Sequence, residues 1–222
     1  MKLKATKVAR GKFITFEGGE GAGKSTQIAI LVKALESQGI ECVQTREPGG
    51  CQSAERIRDM LVKGDIDTWT GMTEALMMTA ARTEHVSQII EPALSAGKWV
   101  ICDRFFDSTV AYQGAGRGVG ISTVRDMQRL ALGDLKPDLT LIFNLPTNIG
   151  LQRAGKREEI IDSGEDRFER MGGEFHQTLA KAFLDIAATE PKRCKVIDAS
   201  KTIYEVSGDI LTILSVELGL KA

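Results

Sequence analysis

Residues 18–25 read Gly18-Gly19-Glu20-Gly21-Ala22-Gly23-Lys24-Ser25, a complete G-x-x-x-x-G-K-[ST] string. Glycines in such a run let the backbone close around phosphate oxygens and aim successive N–H groups at them. Lys24 supplies a point charge for the terminal phosphates, and the Ser25 hydroxyl is the kind of oxygen that holds Mg²⁺ beside them. The string follows a strand-like run and opens a helical pattern, so the helix N-terminus adds its dipole to the same anion site. A glycine-rich turn that binds nothing is the plainer alternative, and the complete string at that junction speaks against it. The chemistry indicated is binding of a nucleoside triphosphate.

Two arginines extend that chemistry. Arg46 follows a short strand-like run, and Arg104 comes directly after Asp103 at the end of Trp99-Val100-Ile101-Cys102. In α/β sheets the ligand lies outside the carboxyl ends of the strands, so both guanidiniums fall on the edge that carries the phosphate loop. A guanidinium grips phosphate bidentately and keeps its charge. The pair predicts a second phosphorylated ligand opposite the triphosphate. The rival reading gives each arginine a structural ion pair with its neighbour, Glu47 or Asp103. Asp103 itself is placed as the carboxylate that holds Mg²⁺ through water.

The elements that must position these groups follow from hydrophobic periodicity. Strands are expected at about 13–16, 40–45, 98–102, 139–145 and 194–197. Helices are expected at about 24–37, 74–96 (bent near Pro92), 121–132, 169–189 and 203–218. Gly39 closes the first helix, and Glu47-Pro48-Gly49-Gly50 stops the second strand. Strands alternating with helices predict one α/β domain over residues 1–222, a P-loop NTPase fold with a parallel sheet of about five strands and helices on both faces. Residues 114–120, with four glycines in seven, read as loop. Residues 153–170, dense in charge, read as a solvated connector or as a lid over phosphates.

The 29 Lys+Arg and 30 Asp+Glu leave a net charge of −1, which speaks against a nucleic-acid partner. No apolar run approaches the ~18 residues of a membrane span, and the basic start lacks a secretory h-region. A cytoplasmic protein is expected, with no membrane partner. Cys42, Cys51, Cys102 and Cys194 are read as reduced thiols, Cys42 and Cys102 as core residues on strands. No D-x-x-G or N-K-x-D string marks a GTPase, and the length leaves little room for a helicase or transporter ATPase.

Asp103-Arg104-Phe105-Phe106-Asp107-Ser108-Thr109-Val110-Ala111-Tyr112 resembles the D-R-[aromatic or His]-x-x-S-x-x-A-[Tyr or Phe] hallmark of the thymidylate kinases, the P-loop enzymes that make dTDP from dTMP and ATP. Phe16-Glu17-Gly18, Thr45-Arg46-Glu47-Pro48-Gly49-Gly50, Ala80-Ala81-Arg82, Lys136-Pro137-Asp138-Leu139 and Ile197-Asp198-Ala199 also resemble family blocks, in the family's order, from about residue 12 to the C-terminus. The resemblance implies that Arg46 and Arg104 clamp the dTMP phosphate, Arg82 hydrogen-bonds the thymine edge, and Tyr112 lies against the deoxyribose. Glu17, Pro48, Met78, Ser108, Thr109 and Gln113 would complete the dTMP side. Thr26 and Ala199 would join the phosphate loop on the ATP side, with residues 198–201 against adenine.

A lid rich in arginine closes over the phosphates in this family. The present loop carries no arginine, whereas Arg153, Lys156, Arg157, Arg167 and Arg170 surround the lid, so the chain resembles the bacterial-type branch. Arg153 and Arg157 are the candidates for acting on the transferring phosphoryl group, and Glu20 would sit over the incoming nucleotide near its sugar. The resemblance further implies a homodimer, with residues 74–96 offering an apolar partner face. Met78 departs from the aromatic ring common at its position, since a thioether covers a base less rigidly. The rival functions are a P-loop kinase for another nucleotide or nucleoside, and a nucleotide-binding regulator without transfer activity.

Overall fold

The computed structural model describes residues 9–161 and 164–220. Strands β1 (Phe13–Gly18), β2 (Cys42–Arg46), β3 (Trp99–Asp103), β4 (Leu139–Asn144) and β5 (Cys194–Asp198) form one sheet in the order β2-β3-β1-β4-β5. Every pairing is parallel, with Phe16 and Arg46 both opposite Asp103 and Gly18 opposite Phe143. All five carboxyl ends therefore share one edge, and the expected fold class is the one observed.

Side chains alternate across the sheet. Ile14 and Phe16 of β1 pack with Leu141, Phe143, Ile28 and Leu35 beneath α1 (Lys24–Ser37) and α9 (Ile203–Leu218). Phe13 faces the other way, against Phe105 and Val100, in the cluster that also holds Ala75 of α3 (Gly71–His85) and Leu179 and Phe183 of α8 (Gly173–Thr189). Burying each such side chain contributes about 1.5–3 kcal/mol. A strand covered on both faces is buried along its whole length, as β1 is.

The helices at 24–37, 121–132 and 203–218 form with the expected bounds, the second being α6 (Ile121–Leu132). The expected 169–189 helix starts later, at Gly173. The long 74–96 helix starts earlier, at Gly71, where the Thr70 hydroxyl accepts the Thr73 N–H. Its winding widens at Val86–Ile90 before α4 (Glu91–Ser95). Pro92 lacks an N–H and crowds the preceding turn, which accounts for the break.

Three expectations need correction. Residues 114–120 are not all loop: α5 (Phe106–Thr109) continues as a wide turn of helix through Val110–Gly116. The missing side chain of Gly116 makes this workable, because a Cβ there would lie 2.5 Å from the Phe175 ring. Residues 153–170 are not simply a solvated connector: α7 (Thr147–Ile161) runs into them with Arg153, Gly155 and Lys156 exposed, whereas Arg167 and Phe168 beyond it are buried. Cys42 is only partly buried, and Cys51 is buried at the start of α2 (Gln52–Val62), a helix the periodicity did not reveal. Arg157 lies on α7, but its side chain is outside the described residues.

Candidate active site

At the end of β1 the chain turns into α1 through the phosphate loop, and the Lys24 ammonium donates to the carbonyls of Gly18 (3.3 Å) and Gly19 (2.8 Å). Burial, together with the nearby Arg104 charge, lowers the Lys24 pKa to about 8. The loop is seated on the first turns of α7. A Cβ on Gly21 would stand 2.1 Å from the Gly150 carbonyl oxygen, and one on Gly150 would stand 2.5 Å from that of Glu20. Only glycine permits this approach, which also brings Arg153 to the loop's side. The Ser25 hydroxyl donates to Asp103 Oδ2 across 2.9 Å, while Asp103 Oδ1 is buried without a hydrogen-bond partner among the described residues.

Arg104 has φ 66°, a left-handed conformation that is costly for a residue with a side chain. Its neighbours hold it there. The Arg104 N–H donates to Phe16 O (2.9 Å), and the Phe105 N–H donates to Glu17 Oε1 (2.8 Å). The Ser108 hydroxyl donates to Glu17 Oε2 (2.5 Å). Burial, reinforced by the Asp107 carboxylate, pushes the Glu17 pKa up to about 8. The twist aims the guanidinium back at the phosphate loop. Nη1 donates to Gly18 O (2.8 Å) and Ser108 Oγ (3.1 Å), and Nη2 to Glu20 Oε1 (2.6 Å). The Tyr112 hydroxyl also donates to Glu20 Oε1 (2.8 Å), and its ring lies 5.1 Å under the guanidinium. Burial works against the Arg104 charge, but Glu20, Tyr112 and Asp103 outweigh it and hold the group above its usual range.

Away from the loop, Arg82 of α3 is buried and fully oriented. Its Nε donates to Glu47 Oε2 (2.7 Å), and Nη2 donates to Thr109 Oγ1 (2.9 Å) and Phe105 O (3.2 Å). The other Glu47 oxygen lies 3.0 Å from His85 Nδ1, and His85 Nε2 lies 2.7 Å from the Thr45 hydroxyl. Arg46 is half exposed and pairs with Glu55 at 3.1 Å, not with the adjacent Glu47.

These groups line one cleft of about 1030 Å³. Its loop end holds Glu20, Gly21, Ala22, Gly23, Lys24, Ser25, Thr26, Asp103, Arg153 and Ala199. Its far end holds Arg46, Pro48, Met78, Arg82, Ser108, Thr109, Tyr112 and Gln113, and Arg104 stands between. Three residues expected in the site lie behind its wall. Gly18 and Gly19 turn their carbonyls to Lys24, and Glu17 is enclosed beneath Phe105 and Ser108. Arg167, expected around the phosphates, points away from them. Its N–H groups donate to the carbonyls of Leu61 (3.0 Å), Asp65 (2.9 Å) and Ile66 (2.7 Å) and to Glu74 Oε1 (2.6 Å). Giving every guanidinium nitrogen at least one acceptor is what permits it to be fully buried.

Among the cleft residues that escaped the sequence reading are Glu47, which orients Arg82, and the pair Arg58–Glu165 at 2.7 Å. Phe168, whose ring stands perpendicular to that of Tyr112 at 5.6 Å, is another. The signal for Phe168 was its being an aromatic residue in a run of charges.

The cleft thus offers the glycine-rich loop at one end and an arginine-rimmed pocket at the other, an arrangement with known counterparts. A sequence profile described as thymidylate kinase matches residues 16–210. A thymidylate kinase of Bradyrhizobium sp. (strain ORS 278) is 51% identical over 198 residues, covering 89% of this chain and 87% of the relative. That of Caulobacter vibrioides is 47% identical over 213 residues, 96% of this chain and 100% of the relative. The crystal structure of thymidylate kinase from Ehrlichia chaffeensis superposes with a TM-score of 0.72 at 34% identity, over 92% of this chain and 99% of that one. With the profile and these relatives matched along nearly its whole length, the chain belongs to the thymidylate kinase family.

Proposed function

We propose that the chain transfers the γ-phosphoryl group of ATP to dTMP, giving dTDP and ADP. The observation that carries the reading is Arg104, whose guanidinium touches the phosphate loop through Gly18 and Glu20 and faces the pocket of Arg46, Arg82 and Tyr112. A phosphate gripped by Arg104 and Arg46 lies next to the loop that cradles the donor. An oxygen of the dTMP phosphate attacks the γ-phosphorus, the bond to the β–γ bridging oxygen breaks, and ADP leaves with that electron pair. The protein's part is alignment and charge neutralisation. Lys24 and the loop N–H groups hold the donor phosphates, Arg153 stands over the transferring group from α7, and Phe168 and Tyr112 keep water from the sugar side.

Mg²⁺ belongs to the same reading. Ser25 Oγ and Asp103 Oδ2 supply hard oxygen donors 2.9 Å apart, and Asp103 Oδ1 has no hydrogen-bond partner among the described residues, which supports a carboxylate held there for a cation. When bound, the ion neutralises charge between the β- and γ-phosphates.

We read residues 1–222 as one domain acting as a homodimer in the cytoplasm. Met72 and Leu76 of α3 are 43% and 54% exposed, which supports a partner face, and sedimentation of the purified protein tests it. No helix among the described residues is long and apolar enough to cross a membrane.

ADP formation with Mg·ATP and dTMP, dUMP, dCMP, dGMP, AMP or thymidine tests the central reading. Turnover favouring dTMP is expected. Preference for another acceptor overturns the substrate, and tight ATP binding with no turnover makes the chain a regulator.

A further inference from the structure

Behind the far end of the cleft, Glu74 of α3 is completely buried and uses its two oxygens differently. Oε1 accepts from Arg167 Nη2 (2.6 Å), with Arg117 Nε at 3.5 Å. Oε2 accepts from the side-chain NH₂ of Gln113 (3.1 Å). Gln113 is itself completely buried and lines the cleft, and its Oε1 has no hydrogen-bond partner among the described residues. A carboxylate in an ion pair only accepts hydrogen bonds. It therefore draws the NH₂ half of the amide toward itself, because the reversed amide would set carbonyl oxygen against carboxylate oxygen. The polarity of Gln113 is thus set from behind, and the acceptor left without a partner belongs to a side chain that lines the cleft.

We propose that Glu74 is a positioning residue for base selection, locking Gln113 so that its carbonyl oxygen accepts from the ring N–H of a 4-oxo pyrimidine. This rests on the kinase reading above. Thymine and uracil both carry N3–H and meet the acceptor. Cytosine presents a lone pair at N3 and is repelled. Glu74 accordingly separates oxo from amino pyrimidines and does nothing to tell thymine from uracil. Arg167, at the far side of Glu74, gives the segment after α7 a part in that selection.

The Glu74→Gln variant makes the inference sharp. Arg167 still donates toward position 74, so the new amide must turn its carbonyl to Arg167 and its NH₂ to Gln113. Gln113 then reverses and offers N–H to the base. The experiment compares kcat/KM for dTMP, dUMP and dCMP in wild type and Glu74→Gln. The expected result is a fall of about tenfold or more in the dTMP:dCMP ratio, an absolute rise in kcat/KM for dCMP, and an unchanged dTMP:dUMP ratio. An equal loss on all three nucleotides, or an unchanged dTMP:dCMP ratio, overturns the proposal. If Glu74→Gln does not fold, Glu74→Asp keeps the charge for Arg167 but falls short of Gln113. The same loss of discrimination is expected there, and its retention overturns the proposal. Absence of dTMP turnover in the wild type is a separate outcome, which removes the kinase reading itself.

Discussion

The Arg104 guanidinium is bonded to the phosphate loop it faces, 2.6 Å from Glu20 Oε1 and 2.8 Å from the Gly18 carbonyl. The group proposed to grip the acceptor phosphate is thereby indexed to the phosphate loop, and the left-handed backbone at Arg104 is the cost of that aim. Replacing it by alanine removes charge stabilisation at the transferring group. The Arg104→Ala variant is expected to lose about 100-fold or more in kcat, with ATP affinity changed by less than about tenfold. Steady-state rates and calorimetric ATP titration check this, and a large loss of ATP affinity would show that the two phosphate sites have been assigned the wrong way round.

Lys24 gives the pH dependence. Its folded value lies near 8, below the ordinary 10.5, so the apo protein holds the charge at a penalty below about pH 8. The unfolded chain binds more protons between those values, so apo stability rises with pH across that window. ATP binding has the opposite sign. Anionic phosphates favour the ammonium, so affinity is full below about pH 8 and then falls by up to about tenfold per unit. Titrations of ATP binding from neutral to alkaline pH should show this slope, and Lys24→Met should bind weakly without it. Glu17 titrates in the same range, so Glu17→Gln, which keeps Lys24, should retain the slope.

Glu47 makes a third prediction. Removing it leaves Arg82 and His85 buried without their carboxylate. The Glu47→Ala variant is expected to lose about 3–5 kcal/mol of stability, read from urea denaturation. A loss under about 1 kcal/mol would mean that the pair is screened by solvent.

Gly150 makes a fourth. A Cβ there meets the Glu20 carbonyl at 2.5 Å, so Gly150→Ala must shift either α7 or the phosphate loop. A cost of about 1–3 kcal/mol is expected, together with weaker ATP binding. Thermal melts with and without ATP separate the two. If ATP raises the Tm of the variant as much as that of wild type, the contact does not shape the loop.

What could be read from the sequence was what repeats locally. The helix at 24–37 lies between Gly23 and Gly39, and the one at 203–218 carries a continuous apolar stripe, so periodicity and stop signals coincide with their bounds. The phosphate loop, Asp103 and Arg104 were legible because their chemistry is contiguous in the chain. Arg167 was not, because its partners at 61–66 and 74 are about a hundred positions away and nothing near it predicts burial. Likewise Glu47 reads as one more turn residue until α3 brings Arg82 against it. The wide turns at 86–90 and 110–116 escaped because looser winding leaves no periodic mark of its own.

One consequence follows from where the chain is fastened between α7 and α8. Gly150 is pressed against the donor loop, and Arg167 is inserted beneath the turn at 61–66 on the acceptor side. The chain thus touches the phosphate loop at Gly150 and the turn at 61–66 at Arg167, and Gly21 and Val62 beside those two contacts line opposite parts of the same cleft.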